Sequence, residues 1–132
     1  MRSLNLVIAM MLSGSVYAQP YTQIPEQPGT DTGYESPEAA ERALRVKPGV
    51  TLIEKDGWLF FADKAERTFW NIALRSNRAY PTAVKRALVG EQGALRMDMK
   101  VQCGASKEAC DDVVRAFQAL NDEIIRKSQP TS

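Results

Sequence analysis

Leu95-Arg96-Met97-Asp98-Met99-Lys100-Val101-Gln102-Cys103 decides the fold, because apolar and polar residues alternate through it without a break. A period of two places Leu95, Met97, Met99, Val101 and Cys103 on one side of a strand and Arg96, Asp98, Lys100 and Gln102 on the other. One face belongs to a core and the other to water.

Downstream the period changes to that of a helix. Ser106 is a fitting N-cap, Glu108, Asp111 and Asp112 stand in the first turns, and Arg126 and Lys127 stand in the last, a charge order that suits the helix dipole. Cys110, Val113, Val114, Phe117, Leu120 and Ile124 form one apolar stripe. That stripe needs a sheet beneath it, and the face of Leu95 to Val101 is the natural one.

Upstream, Ala83–Val89 reads as a strand joined to the stretch 94–102 by the loop Gly90-Glu91-Gln92-Gly93. Thr51–Glu54 and Trp58–Ala62 flank the turn signal Lys55-Asp56-Gly57, and Asp63-Lys64-Ala65-Glu66 separates the latter from a strand over Arg67–Ile72. Before these, Ser36 caps a short helix with Pro37 at its first position and Glu38 and Glu41 in its first turn, ending near Lys47 ahead of Pro48-Gly49. The expected architecture is an α+β domain over residues 36–128. It has a short N-terminal helix, a four- or five-stranded antiparallel sheet, and a C-terminal helix packed on one face (ββββα).

Residues 1–18 read as a secretory signal. Arg2 precedes the apolar run Leu6–Leu12, and Val16-Tyr17-Ala18 supplies a small-x-small cleavage site. The run is too short to span a bilayer, and Gln19 rather than Cys follows the cut, so neither a membrane span nor a lipid anchor is expected. Cleavage leaves 114 of the 132 residues, the size of one domain. Residues 19–35 carry Pro20, Pro25, Pro28, Gly29 and Gly33 among polar residues and read as a flexible tether; 129–132 read as a frayed tail.

Cys103 and Cys110 are the only cysteines, and an even count in an exported chain points to a disulfide. Cys103 ends the core-facing series of the last strand and Cys110 begins the stripe of the helix, so docking one on the other brings them together. Their spacing lacks the C-x-x-C form of redox-active pairs.

Composition excludes several chemistries. The chain has no histidine, which removes the usual general base, metal ligand and partner of a Ser or Cys nucleophile. No EF-hand, P-loop or G-x-G-x-x-G spacing occurs, so no cofactor, no metal and no catalytic residue are expected. There are 17 basic and 16 acidic residues, and removal of Arg2 makes them equal, which argues against nucleic acid as a partner. The basic cluster Arg75, Arg78, Lys85 and Arg86 reads as a solvated face.

Trp58, Phe60, Phe61, Phe69, Trp70 and Tyr80 crowd the middle strands. Adjacent strand residues face opposite sides, so Phe60 and Phe61, like Phe69 and Trp70, are divided between faces. Either the helix from Ser36 covers the second face or aromatic surface stays open. In the second case Trp58, Trp70 and Tyr80, with Arg75 and Arg78 in the polar loop Leu74–Ala79, form a candidate partner-binding surface.

Glu66-Arg67-Thr68-Phe69-Trp70 followed by Ala79-Tyr80-Pro81-Thr82-Ala83-Val84-Lys85-Arg86 resembles a pattern in small exported proteins of proteobacteria that carry no assigned function. The segment covers about a fifth of the mature chain. In that pattern a Thr-Pro and a His-Pro pair lie between the Trp and Ala-Tyr-Pro; here Ala73-Leu74 and Asn77-Arg78 stand in those places. The resemblance implies export and a small α+β domain, and it brings no activity with it.

Together these readings favour a small exported, non-catalytic accessory protein acting on a periplasmic protein partner, in the manner of an inhibitor or immunity factor. The alternatives are a peptidoglycan- or glycan-interacting module, in the extreme a hydrolase using carboxylates among Asp56, Asp63 and Glu66, and a structural role through self-association.

Overall fold

The computed structural model describes residues 27–129. Residues 1–18, read from sequence as a signal, residues 19–26 and residues 130–132 lie outside them. The order of elements is α1 (Pro37–Val46), β1 (Val50–Lys55), β2 (Trp58–Asp63), β3 (Thr68–Ala73), β4 (Thr82–Val89), β5 (Arg96–Cys103) and α2 (Lys107–Lys127). The strands form one antiparallel meander in the order β1-β2-β3-β4-β5. The α+β architecture read from the sequence is the one observed, with five strands.

Local chemistry sets the boundaries. Ser36 and Ser106 accept hydrogen bonds from the amides of Ala39 (3.0 Å) and Ala109 (3.2 Å), which satisfies donors that the first turns of α1 and α2 leave free. Asp56 and Gly57 join β1 to β2 with φ of 53° and 82°, the left-handed pair that a two-residue hairpin of type I′ requires. Arg67, expected inside β3, takes φ 51° and closes the β2–β3 turn instead, so the strand begins at Thr68.

The sheet divides the aromatic residues by parity. Leu59, Phe61, Trp70, Ile72 and Ala83 face α1, where Ala40 and Leu44 close a core cluster. Val84 and Val101 face α2 and pack with Val113, Val114 and Phe117, with Trp58, Met99 and Cys103 against them. Phe60 and Phe69 share the second side of the sheet and stack on one another with centroids 6.1 Å apart. That side is the one that carries α2, and α1 covers the opposite face, with Phe61 and Trp70 beneath it. Burying these side chains supplies most of the drive to fold, since an aromatic residue alone removes 150–250 Å² from water, roughly.

Three expectations need correction. Residues 27–35 are not a free tether: Gly29 bridges Lys100 in parallel, its carbonyl accepts from the Val101 amide (2.9 Å), Gln102 Nε2 donates to the Glu35 carbonyl (2.7 Å), and Thr32 is buried. Backbone bonds to the edge of β5 order a segment too polar to order itself by hydrophobic burial. A Cβ at position 29 would meet only the end of the Lys100 side chain, 2.9 Å from Nζ, which can move aside.

Second, Arg86 is not on a solvated face. It is 4 % exposed; its guanidinium donates to Asn71 Oδ1 (2.9 Å) and Asn121 Oδ1 (3.4 Å), lies over the Phe117 ring, and leaves Nε without a hydrogen bond. Burial lowers its pKa from the ordinary arginine value. Third, α2 is rotated from the expected stripe, with Asn121 buried and Leu120 39 % exposed, because Asn121 is held by Arg86.

At the far end of β2, the buried Asp63 carboxylate accepts from Lys47 Nζ at 2.6 Å and from the Glu66 amide at 3.2 Å. The Lys47 hydrogen bond lowers the Asp63 pKa below its ordinary 3.8, against the opposing effect of burial. A depressed native pKa contributes stability that is whole above the unfolded value and is lost as pH falls through the native one. Acid titration of the melting temperature is therefore expected to show a loss of stability below about pH 3.8 that Asp63→Asn makes shallower. Identical acid limbs for the two proteins would refute the assignment.

Candidate functional site

An apolar cleft lies between α2 and the β3–β4 connection. Asn77 builds that connection: its Nδ2 donates to the Gly57 carbonyl (3.1 Å) and its Oδ1 accepts from the Ala79 amide (2.9 Å), while the Leu74 amide donates to the Gly57 carbonyl (3.0 Å). The loop is thereby fastened to the β1–β2 turn. Trp58, the residue after that turn, lies edge-on to Phe117 with centroids 5.3 Å apart and planes at 82°.

Opposite stand Ala109, Val113, Ala116, Phe117 and Leu120, and the space enclosed is about 310 Å³. Its rim carries a charged triplet in which Asp112 accepts from Arg78 (2.7 Å) and Arg115 (2.8 Å). Those hydrogen bonds, Arg78's first, lower the Asp112 pKa, and the Asp112 bond raises that of Arg78. All three charges are exposed and add little stability. Their effect is to fix the direction of the rim charges around an apolar floor, the composition of a recognition pocket for an apolar group.

The five residues proposed from sequence as one surface are separated by the fold. Trp58 and Arg78 meet in this cleft. Arg75 and Tyr80 lie together at another, smaller hollow beside Pro37 and Glu38, with the Arg75 guanidinium 5.7 Å from the Tyr80 ring and the Tyr80 hydroxyl 3.4 Å from Glu38 Oε1. Trp70 is no surface residue: it is 4 % exposed beneath α1, with Tyr34 on one side and the Lys85 ammonium 5.4 Å from its ring. Sequence reasoning missed Phe117, Ala116 and Leu120 as cleft walls. The signal for the first two was present, since Val113, Ala116, Phe117 and Leu120 recur at helical spacing, but the rotation of α2 that opens Leu120 was not.

The carboxylates of the hydrolase alternative are divided as well. Asp63 and Glu66 border a polar hollow of about 270 Å³ with Lys47 and Lys85. Asp56 lies in the β1–β2 turn at the opposite end of β2. Asp63 is held ionised by Lys47, the reverse of the raised pKa that a general acid needs. Among the described residues no group of three His, Cys, Asp or Glu side chains is placed to hold a metal ion, and no helix is long and apolar enough to cross a membrane. Cys103 and Cys110 form a disulfide, with Cα atoms 5.9 Å apart, a bond consistent with an oxidising compartment.

Compared with family models, characterised proteins and solved structures, the chain shows no match. The functional reading rests on the geometry just described.

Proposed function

We propose that this chain is an exported, non-catalytic accessory protein of the periplasm, its signal cut after Ala18, and that it acts by binding a protein partner as an inhibitor or immunity factor does. The observation that supports this most is the cleft of Trp58, Phe117 and Leu120 under the Arg78–Asp112–Arg115 rim. Leu120 is an apolar side chain left 39 % exposed beside a half-buried tryptophan, and aromatic anchors within a charged rim concentrate binding energy in protein interfaces. The occupant is an apolar side chain of the partner, oriented by polar groups that meet the rim. Neither a cofactor nor a metal enters this mode of action, and the balanced charge offers nothing to nucleic acid.

The test is a crosslinking pull-down of the tagged protein from its own envelope extract with Leu120→Asp and Ala116→Glu alongside. Both positions are exposed on α2, so folding is expected to be retained within about 0.5 kcal/mol. One enriched protein, reduced tenfold or more in both variants, is the expected result. Equal recovery with all three baits, or sedimentation with purified peptidoglycan in place of any protein, would overturn the reading.

A further inference from the structure

The two edges of the sheet are treated differently. Beside β5, residues 27–35 run along the strand, with Gly29 bridged to its backbone and the Glu35 carbonyl accepting from the Gln102 side chain. Nothing among the described residues runs along the outer side of β1, whose residues are exposed from Thr51 to Lys55. It has no proline and no bulge, and its register with β2 is unbroken over six pairs; its charged residues, Glu54 and Lys55, are confined to the end next to the hairpin turn. Two of the exposed large apolar side chains, Leu52 (39 %) and Ile53 (56 %), stand on it, one on each face, and Val46 (80 %) lies just ahead of it.

The direction of its free backbone groups follows from the hairpin. In the Asp56-Gly57 turn the Lys55 carbonyl points toward the Trp58 amide. Alternation then turns Lys55, Ile53 and Thr51 inward to β2 and leaves Val50, Leu52 and Glu54 with N–H and C=O groups facing out. The Val50 amide is taken by the Lys47 carbonyl at 3.4 Å; among the described residues, the Val50 carbonyl and both groups of Leu52 and Glu54 meet no backbone partner.

We infer that β1 is a homodimerisation edge, on which a second copy of this chain adds its own β1 antiparallel about a two-fold axis at Leu52. In that register Leu52 lies opposite its own copy and exchanges N–H and C=O with it, and each Glu54 amide meets the Val50 carbonyl of the other chain. Ile53 lies opposite Thr51, so the apolar groups on both faces are covered. Glu54 faces Val50 and Lys55 faces Gly49, so no like charges oppose one another. The pairing joins two five-stranded sheets into one whose outer edges are the two β5 strands, each overlaid near Lys100–Gln102 by residues 27–35. A second copy is favoured over a foreign strand because the outward groups and the charges of β1 satisfy this two-fold register by themselves. No residue of the Trp58–Leu120 cleft lies on β1, so dimer and cleft are independent.

The purified full chain, studied by sedimentation up to millimolar concentration, is expected to reach twice the monomer mass. Leu52→Pro removes an N–H that points away from β2, a position where an edge strand accepts proline, and is expected to stay folded and monomeric. If that variant fails to fold, Ile53→Lys serves the same purpose. Leu52→Cys is expected to give a covalent dimer on oxidation, and Lys55→Cys, far from the axis, is not. A wild-type chain monomeric at millimolar concentration would overturn the inference. Association that Leu52→Pro or Ile53→Lys leaves unchanged would do so too, as would a dimer that crosslinks equally at 52 and 55. Leu120→Asp, which tests the cleft, is expected to dimerise normally.

Discussion

Trp70→Ala is expected to lower stability by about 3–5 kcal/mol, the range for emptying a large buried aromatic site. The side chain is 4 % exposed, sits in the cluster with Leu59, Phe61 and Ile72, and carries Tyr34 at 5.6 Å and the Lys85 ammonium over its ring. Truncation empties the space under α1 and removes the ring contact with Tyr34. Small domains hold only about 5–15 kcal/mol in all, so much of the margin disappears. Urea unfolding followed by fluorescence checks this cleanly, because Trp58 is then the sole tryptophan. A midpoint within the error of the wild type would mean that Trp70 is not in the core. Loss of partner binding in this variant would say nothing about a binding surface, whereas loss in Leu120→Asp would.

Opening the Cys103–Cys110 bond is expected to cost about 2–3 kcal/mol on the chain-entropy account of a small loop. The bridge spans a sequence separation of 7 and joins the end of β5 to the first turn of α2. What it fixes is the entry of the helix onto the face of Val84 and Val101, where Cys103 itself packs. For a domain of this size the loss corresponds to a fall in melting temperature on the order of 10 °C. Calorimetry with and without reductant, and on the Cys103→Ala/Cys110→Ala protein, measures it. An unchanged melt in excess reductant would show the helix to be held by packing alone.

Much of this fold was legible because each element announces itself twice. The last strand alternates strictly, and both helices carry a serine cap ahead of an acidic first turn, so pattern and ends agree. The parity of Phe60 and Phe61, and of Phe69 and Trp70, divided the aromatics between faces correctly. What parity does not give is the register between strands: Trp70 pairs with Phe61 and Trp58 with Ala73, so the two tryptophans, placed on one surface from sequence, lie on opposite sides of the sheet. Arg86 was open to a better reading: it alternates with Val84 and Leu88, and its parity is that of the core. Charge outweighed parity there, and the asparagines that satisfy the guanidinium come from β3 and α2, too distant in sequence to be anticipated. Residues 27–35 were misread for a different reason. Their order comes from backbone hydrogen bonds to an edge strand, and backbone groups carry no sequence signal.

The surface proposed to meet a protein partner is the exposed wall of α2 with Trp58. Its most direct test is a photo-crosslinking amino acid placed at Leu120 in the growing cell, with Glu91, exposed in the β4–β5 loop, as the comparison position. One covalent adduct with a single protein from position 120, absent from position 91, is the predicted result. The same pattern from both positions, or no protein adduct from either, would contradict it.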